Sequence, residues 1–346
     1  MDKKESPQYV QTSLAGAMSM GLEKGRFLKG AGCTCLNLLL TYDTGCKASC
    51  SYCGLSHQRD ECAAPTFIRV KWPTYELKTI FQALDRHNPF KRACVSMITH
   101  PRAVTDTCTI ISEVRSRTGL PVSGLLDPTV MRPDDMQAIK DAGADRVGIA
   151  IDAVTPELFE RHRGHGVNGP HRWEKYWQAV EEAVQIFGRY QTGVHLIVGL
   201  GETEQEMIDA IDRAYQIGAL THLFSFFPEA GSRLENQAQP PLGQYRRVQM
   251  ARYLINEGII MAQDITFGAH GEVKDFGIDI EPYAKQGLAF MTSGCPDATG
   301  RVACNRPFGN ERASEPMRNY PYRPDENDIA VISPQLWDGV ERVGRS

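Results

Sequence analysis

Cys46, Cys50 and Cys53 stand at the spacing Cys-x3-Cys-x2-Cys inside the run Thr44-Gly-Cys-Lys-Ala-Ser-Cys-Ser-Tyr-Cys-Gly-Leu55, with Tyr52 just before the last of them. Thiolates are soft ligands that select zinc, copper(I) or iron-sulfur clusters. Three of them on one short loop make an incomplete cage. A structural zinc site needs a fourth Cys or His nearby, and His57 and Cys62 are the close candidates. An iron-sulfur cubane has one iron more than this motif has thiolates, so one iron is left open to a further ligand. With no second Cys-x2-Cys to pair with, the spacing favours the cluster.

The motif, with Tyr52 in place, resembles the radical S-adenosylmethionine (SAM) superfamily. That resemblance implies a 4Fe-4S cluster on Cys46, Cys50 and Cys53 and SAM chelated at the open iron. It also implies reductive cleavage of SAM to a 5'-deoxyadenosyl radical that activates C-H bonds. The trio would then be catalytic as well as metal-binding.

The elements around the loop must hold it at a cavity mouth. The chain has 346 residues, 42% hydrophobic and 23% charged, with a formal charge of -4 and a pI near 6.2. That composition suits a globular enzyme and excludes bulk electrostatic binding of nucleic acid. The polar N-terminus and the lack of a long apolar run predict neither signal peptide nor membrane span, hence a cytoplasmic protein. Ten cysteines at short spacings in such a protein read as metal ligands and not as disulfides.

Leu36 to Tyr42 reads as a strand running straight into the cysteine loop. Helix is expected over 75–87, 104–118, 133–142, 156–163, 171–188, 204–217 and 243–256, and strand over 92–99, 121–126, 145–152, 192–198 and 221–227. A seventh strand is expected at 259–267 and a seventh helix at 280–291, with Pro133 in the first turn of its helix. Seven alternating units predict an α/β fold, a (β/α) TIM-type barrel, closed or nearly closed, with chemistry at the strand C-terminal ends. The expected organisation is an N-terminal extension, 1–35, the barrel, 36–294, and a C-terminal extension, 295–346. A short helix is expected within 9–20.

Asp152 ends the fourth strand and is positioned either to bind a ribose hydroxyl pair or to cap the helix after it. Gly199 and Gly201, in Leu196-Ile-Val-Gly-Leu-Gly-Glu-Thr203, permit close backbone approach to a flat ligand such as adenine, or simply a tight turn. Arg163 suits a ligand carboxylate through a bidentate pair. Tyr42, His195, His270 and Phe226 are expected to face the substrate channel. Where many radical SAM enzymes carry Gly-Gly-Glu, this chain has Ser96-Met-Ile-Thr-His-Pro101.

Cys33 and Cys35 precede the first strand and, at about 3.3 Å per residue, lie on the order of 20 Å from the cluster loop. Cys295 and Cys304 follow the last helix, and in a barrel the last element lies beside the first. These four cysteines are therefore expected to meet at the barrel bottom, as an auxiliary iron-sulfur cluster or a structural zinc site. Ser314 is a reserve ligand. Cys62, Cys94 and Cys108 stand singly.

The Gly199 to Glu202 segment and the barrel pattern are similar to biotin synthase, and the tail Cys295-Pro-Asp and Cys304-Asn-Arg-Pro-Phe-Gly-Asn-Glu311 most resembles a component of the two-protein lipoyl synthase. That resemblance implies two 4Fe-4S clusters, SAM, and sulfur insertion into a protein-bound octanoyl chain. It implies as partners an octanoylated lipoyl carrier protein or domain, a second radical SAM lipoyl synthase component, and an electron donor such as ferredoxin or flavodoxin, with no nucleic acid and no membrane. A methyltransferase or cyclase of the same barrel type, with the extra cysteines structural, is the second reading. A metal-binding regulator without catalysis is a third.

Overall fold

The structure, a computed structural model, describes residues 3–60, 66–305, 311 and 314–341. Cys62 lies outside the described residues, as do 306–310, which follow the Cys304 turn. Along the chain run β1 (Tyr9–Thr12), α1 (Leu14–Ser19), β2 (Cys35–Leu40), β3 (Thr74–Glu76), α2 (Leu77–Arg86), β4 (Arg92–Ser96), α3 (Ala103–Thr118), β5 (Val122–Leu126), α4 (Asp135–Asp141) and β6 (Arg146–Asp152). They are followed by α5 (Pro156–His162), α6 (Trp173–Phe187), β7 (Thr192–Val198), α7 (Glu204–Ile217), β8 (Leu220–Ser225) and α8 (Leu242–Asn256).

Strands β2, β4, β5, β6, β7 and β8 are parallel neighbours in that order, and β1 adds antiparallel to β2 and carries β3 on its far side. Residues paired across a sheet share a face, and successive residues alternate between faces. One face is apolar: Leu36, Leu38, Leu40, Ala93, Val95, Val147, Ile149, Val194 and Leu196 belong to the core packed under the helices. The other face is polar, with Cys35 opposite Arg92, Cys94 between Asn37 and Ser123, and His195 opposite His222. Side chains from β4 through β8 line one enclosed space on that second face, so the sheet curls around a lumen.

The curl is not closed by strand pairing, because β3 and β8 are the sheet's edges. The gap at the strand N-terminal end is bridged instead by residues 293–305. Ser293 Oγ accepts from Leu223 N at 3.1 Å on the β8 side, while Thr34 Oγ1 donates to Ala303 O at 2.6 Å and Asn305 Oδ1 accepts from Thr34 N at 2.9 Å beside β2.

The seventh strand is a correction. Asp264 accepts from Met261 N at 2.8 Å and folds Ala262–Asp264 into a helical turn, leaving only β9 (Thr266–Phe267), which pairs with β10 (Val273–Asp275) outside the main sheet. The helix expected over 280–291 is α9 (Glu281–Gln286), stopped by Gly287 at φ 74, where a left-handed residue ends the helix before a separate turn. Pro133 precedes α4, whose entry residue is Asp134 in the left-handed region. Residues 9–12 form a strand, and Ser13 starts α1 by accepting from Gly16 N at 3.1 Å.

Helix α7 shows why these segments fold as they do. Met207, Ile208, Ile211 and Ala214 recur on one buried face, Gly218 ends the helix in the left-handed region, and Thr203 with Glu206 makes a reciprocal capping box at its start. Thr203→Ala is expected to cost about 1 kcal/mol, read as a lower urea midpoint at unchanged m-value. A variant as stable as the parent would show that the cap is idle.

The C-terminal segment wraps the barrel. Buried Arg246 of α8 donates to Met317 O at 2.6 Å and Arg318 O at 2.7 Å, and Arg247 pairs with Glu204 at 2.6 Å while donating to Leu336 O at 2.9 Å. Among the described residues no helix is long and apolar enough to cross a membrane.

Candidate active site

The loop after β2 is pinned to the segment after β4 and to the end of α5, which in turn holds the segment after β7. Lys47 N donates to Thr99 O at 2.8 Å, and Ser51 N donates to His162 O at 2.9 Å. His162 donates through Nε2 to Leu200 O at 2.9 Å, which leaves Nδ1 to accept from Ser51 Oγ at 2.8 Å. Fixed in this way, Cys46, Cys50 and Cys53 line a cavity at the strand C-terminal ends. Backbone N-H groups of Ala48 and Leu55 approach the Cys46 and Cys53 sulfurs at 3.5 and 3.4 Å. Burial pushes the Cys50 thiol up to about 11, opposed by the Arg163 guanidinium, and raises Cys46 and Cys53 as well. Ligation here must therefore displace thiol protons.

Tyr52, Asp152 and Arg163 join the trio in this cavity. A bulge after Ala150 puts Asp152 at φ 64, a left-handed conformation that Asp tolerates, and re-aims its side chain. Tyr52 donates to Asp152 Oδ2 at 2.5 Å. The capping role belongs to Thr155, whose side chain accepts from Leu158 N, so Asp152 stays at the barrel mouth. Arg163 lies between the Phe159 and Tyr176 rings, at 5.2 and 4.7 Å, and donates to the Ala150 and Ile151 carbonyls and, at 3.3 Å, to Tyr176. Its fork is thus largely engaged at the end of β6 and on Tyr176, which leaves the Nε N-H and one N-H of Nη2. That Nε, and Ser225 Oγ on the opposite wall, are buried without a partner among the described residues. Unsatisfied buried donors beside three free thiols fit a polar cofactor at this wall.

Gly199 and Gly201 do not line the cavity. Gly199 N and Leu200 N donate to the Glu202 carboxylate at 2.6 and 2.9 Å, and Gln237 donates to Gly199 O at 2.7 Å, so the loop is held from within. Both glycines have positive φ, 110 and 113. Burial pushes the Glu202 carboxyl up to about 7 from 4.5, against the pull of those N-H groups. Below pH 4.5 it is protonated folded and unfolded; as pH rises through 7 the folded chain must ionise a buried group, so its contribution to stability is lost with rising pH. Glu202→Gln is expected to flatten this fall, which amounts to about 3 kcal/mol. Urea unfolding at pH 5 and pH 8 measures it, and parallel pH slopes for both proteins would refute it.

Of the expected channel residues, His195 and Phe226 line the cavity. Tyr42 does not: it stacks on His100 at 3.6 Å and donates to Asp106 at 2.8 Å, facing α3. His270 sits in an exposed loop beside Thr203. The segment after β4 does reach the cavity, where Thr99 donates to Asp127 Oδ2 at 2.6 Å. Asp127 also accepts from Tyr176 at 2.8 Å, and Tyr176 contacts His171 at the same distance. Sequence reasoning missed this buried polar cluster, because its members come singly from the segments after β4 and β5 and from α6 and the residues before it, and single polar residues carry no periodicity.

A second cavity lies toward the strand N-terminal ends, lined by Cys94, Ser123, His222, Ser293, Cys295 and Cys304 among others. Leu125, His195 and Phe224 line both cavities. The imidazoles fit because the preceding strand has glycine beneath them: a Cβ at Gly148 would stand 3.1 Å from His195 Nε2, and one at Gly193 only 2.7 Å from His222. Cys35 and Cys304 are in side-chain contact, and Cys304 N donates to Cys295 O at 3.0 Å. Arg92 holds Asp145 bidentately at 2.6 and 2.7 Å, Ser123 at 2.8 Å and the carbonyl of Pro296. Ser314 is exposed and lines neither cavity. Among the described residues no three His, Cys, Asp or Glu side chains converge as tightly as one metal ion requires.

The family model of the radical SAM superfamily matches residues 42–214, the cysteine loop through α7, and the chain belongs to that superfamily. Its curated relatives include GTP 3',8-cyclase of Picosynechococcus sp., 26% identical over 108 residues, 30% of this chain and 31% of that protein, and GTP 3',8-cyclase of Microcystis aeruginosa, 29% identical over 76 residues, 22% of each. The chain spans less than a third of the length of these relatives. Similar solved structures include methylornithine synthase, 16% identical with TM-score 0.48 over 77% of this chain and 82% of that one. The radical SAM methyltransferase of Kitasatospora setae, solved with tryptophan and a SAM analogue, is 14% identical with TM-score 0.40 over 90% of this chain and 60% of that one.

Proposed function

We propose that this chain is a sulfur-inserting radical SAM enzyme, one component of a two-protein lipoyl synthase acting on an octanoyl chain carried by a lipoyl carrier protein or domain. The observation that carries the reading is the group of thiols at the far end of the lumen from the Cys46 trio, with His195, Leu125 and Phe224 common to the two cavities. If bound, a cluster and SAM at the upper thiols would supply the radical chemistry that removes one hydrogen atom from an aliphatic carbon, and a cluster at the lower thiols would supply both the sulfide for the new C-S bond and the ferric iron that takes up the one electron released.

The residues divide the work between them. Cys46, Cys50 and Cys53 would hold the upper group, Tyr52 and Asp152 would bind SAM, Asp152 through its carboxylate at a ribose hydroxyl pair, and Arg163 fixes Asp152 through a 3.5 Å ion pair. Leu125, Ile197, Phe224 and Phe226 give an apolar wall that excludes water from an acyl chain. Cys33, Cys35, Cys295 and Cys304 are the lower thiols expected from the sequence, and an auxiliary cluster there is part of this proposal. The partners would be a second radical SAM component and a low-potential electron donor such as ferredoxin or flavodoxin.

The test is anaerobic reconstitution with SAM, reductant and an octanoylated carrier peptide, with and without the partner component, scoring 5'-deoxyadenosine and sulfur mass gain. Thiolated product supports the reading. Deoxyadenosine without thiolation, partner present, rejects lipoyl synthesis and leaves the superfamily standing. A cyclase with structural extra cysteines is the second reading, favoured by the names of the curated relatives. It predicts about four irons per chain where sulfur insertion predicts about eight.

A further inference from the structure

The lower cavity has a thiol that neither the resemblance nor the spacing of the terminal cysteines picked out. Cys94 is the middle residue of β4, with Asn37 and Ser123 as its register partners, which puts it on the lumen face one row above Cys35 and Arg92. It lines the same cavity as Cys295 and Cys304. The Cys35 thiol, in contact with Cys304, interacts electrostatically with Cys94 as well. Three sulfurs, those of Cys94, Cys295 and Cys304, thus line one space, and Cys35 adjoins them through its contact with Cys304.

Cys33 is placed differently. Its Sγ donates to Cys35 O at 3.1 Å and accepts from Asn37 Nδ2 at 3.6 Å, and its backbone N-H is held by Ser19 Oγ at 3.0 Å. Neither Cys33 nor Cys35 lines the lower cavity, but Cys35 touches Cys304, which does, while Cys33 packs with the apolar core that Cys35, Cys94, Cys295 and Cys304 do not join. A buried thiol packed among apolar side chains is an ordinary small hydrophobe.

We propose that the lower iron-sulfur site is ligated by Cys35, Cys94, Cys295 and Cys304, with Cys94 in the position that sequence spacing gave to Cys33. The inference rests on the reading that the lower thiols hold a cluster. Its consequence for that reading is directional. A ligand on β4 draws the cluster from the barrel's bottom rim into the lumen, toward the wall of Leu125, His195 and Phe224 shared with the upper cavity.

The experiment isolates the lower site in a chain with Cys46, Cys50 and Cys53 all replaced by alanine, reconstituted anaerobically with ferrous iron and sulfide. That parent is expected to hold about four irons with matching acid-labile sulfide. Cys94→Ala added to it should lower both at least about threefold, while Cys33→Ala leaves them unchanged. Cys94→Ser, which keeps the size and offers an oxygen, should retain iron with an altered Mössbauer spectrum, a change that a merely structural role would not produce. Unfolding of the apo forms checks that each variant folds. Iron lost with Cys33→Ala and kept with Cys94→Ala would overturn the assignment, and so would iron kept with Cys94→Ala but lost with His222→Ala. A parent that takes up no iron, or a single zinc, would instead remove the auxiliary cluster itself, and with it the sulfur-inserting reading.

Discussion

Cys50→Ala is expected to lower 5'-deoxyadenosine formation about a thousandfold or more, equivalent to roughly 4 kcal/mol of barrier, and to remove about four irons per chain. Cys50 is the most buried of the trio, and it is the one that faces the Arg163 guanidinium. Neither the Cys46 nor the Cys53 sulfur can substitute for it, because each is held at its own place in the loop by a backbone N-H. Removing one buried sulfur costs the apo fold only about 1 kcal/mol, so loss of activity and loss of fold are separable by urea unfolding. A variant that still cleaves SAM at the parent rate would exclude the trio from the chemistry.

Arg163→Met should have the next largest effect, and it acts on stability first. The guanidinium is buried, its donors hold two carbonyls at the end of β6, and its charge is matched by Asp152 at 3.5 Å. Removing one partner of a buried pair leaves the other charge uncompensated, at a cost of about 3–5 kcal/mol. SAM affinity is expected to fall at least about tenfold, equivalent to 1.4 kcal/mol or more, because Asp152 and Tyr52 lose their fixed geometry. Adding Asp152→Asn removes the orphaned charge and should recover about 1–2 kcal/mol of stability without restoring SAM binding. Urea melts and calorimetric titration read the two effects. A single variant within 1 kcal/mol of the parent would show that Arg163 is not the anchor of the strand end.

The two halves of the site differed in how far they could be read from the chain. Cys46, Cys50, Cys53 and Tyr52 are close in sequence, so their spacing alone predicts a common cavity, and their cavity lies after a strand as expected. The meeting of Cys35 with Cys304 was also legible, because a chain that curls brings its last element beside its first. Asp152 was legible only as a choice between two roles. The helix cap went to Thr155, and a bulge at the end of β6, which depends on the partner strand, set the backbone of Asp152.

What the sequence by itself determined was whatever neighbours along the chain can decide: the cysteine loop and its ligand chemistry, the caps such as Thr203 with Glu206, and the alternation of strand and helix. Only the tertiary structure decided which face each strand residue takes, since a one-residue shift of register exchanges lumen for core. Cys94 entered the lower cavity on that account, Cys33, which lies before β2, went to the core, and His195 and His222 found room only because Gly148 and Gly193 lie on the strands beside them. The run from Ile259 to Phe267 failed as a barrel strand for the same kind of reason. Its apolar residues satisfied the local pattern, but Asp264 closed a turn on Met261 N, and the edge of β8 was left to the cysteine-bearing segment that bridges it to β2.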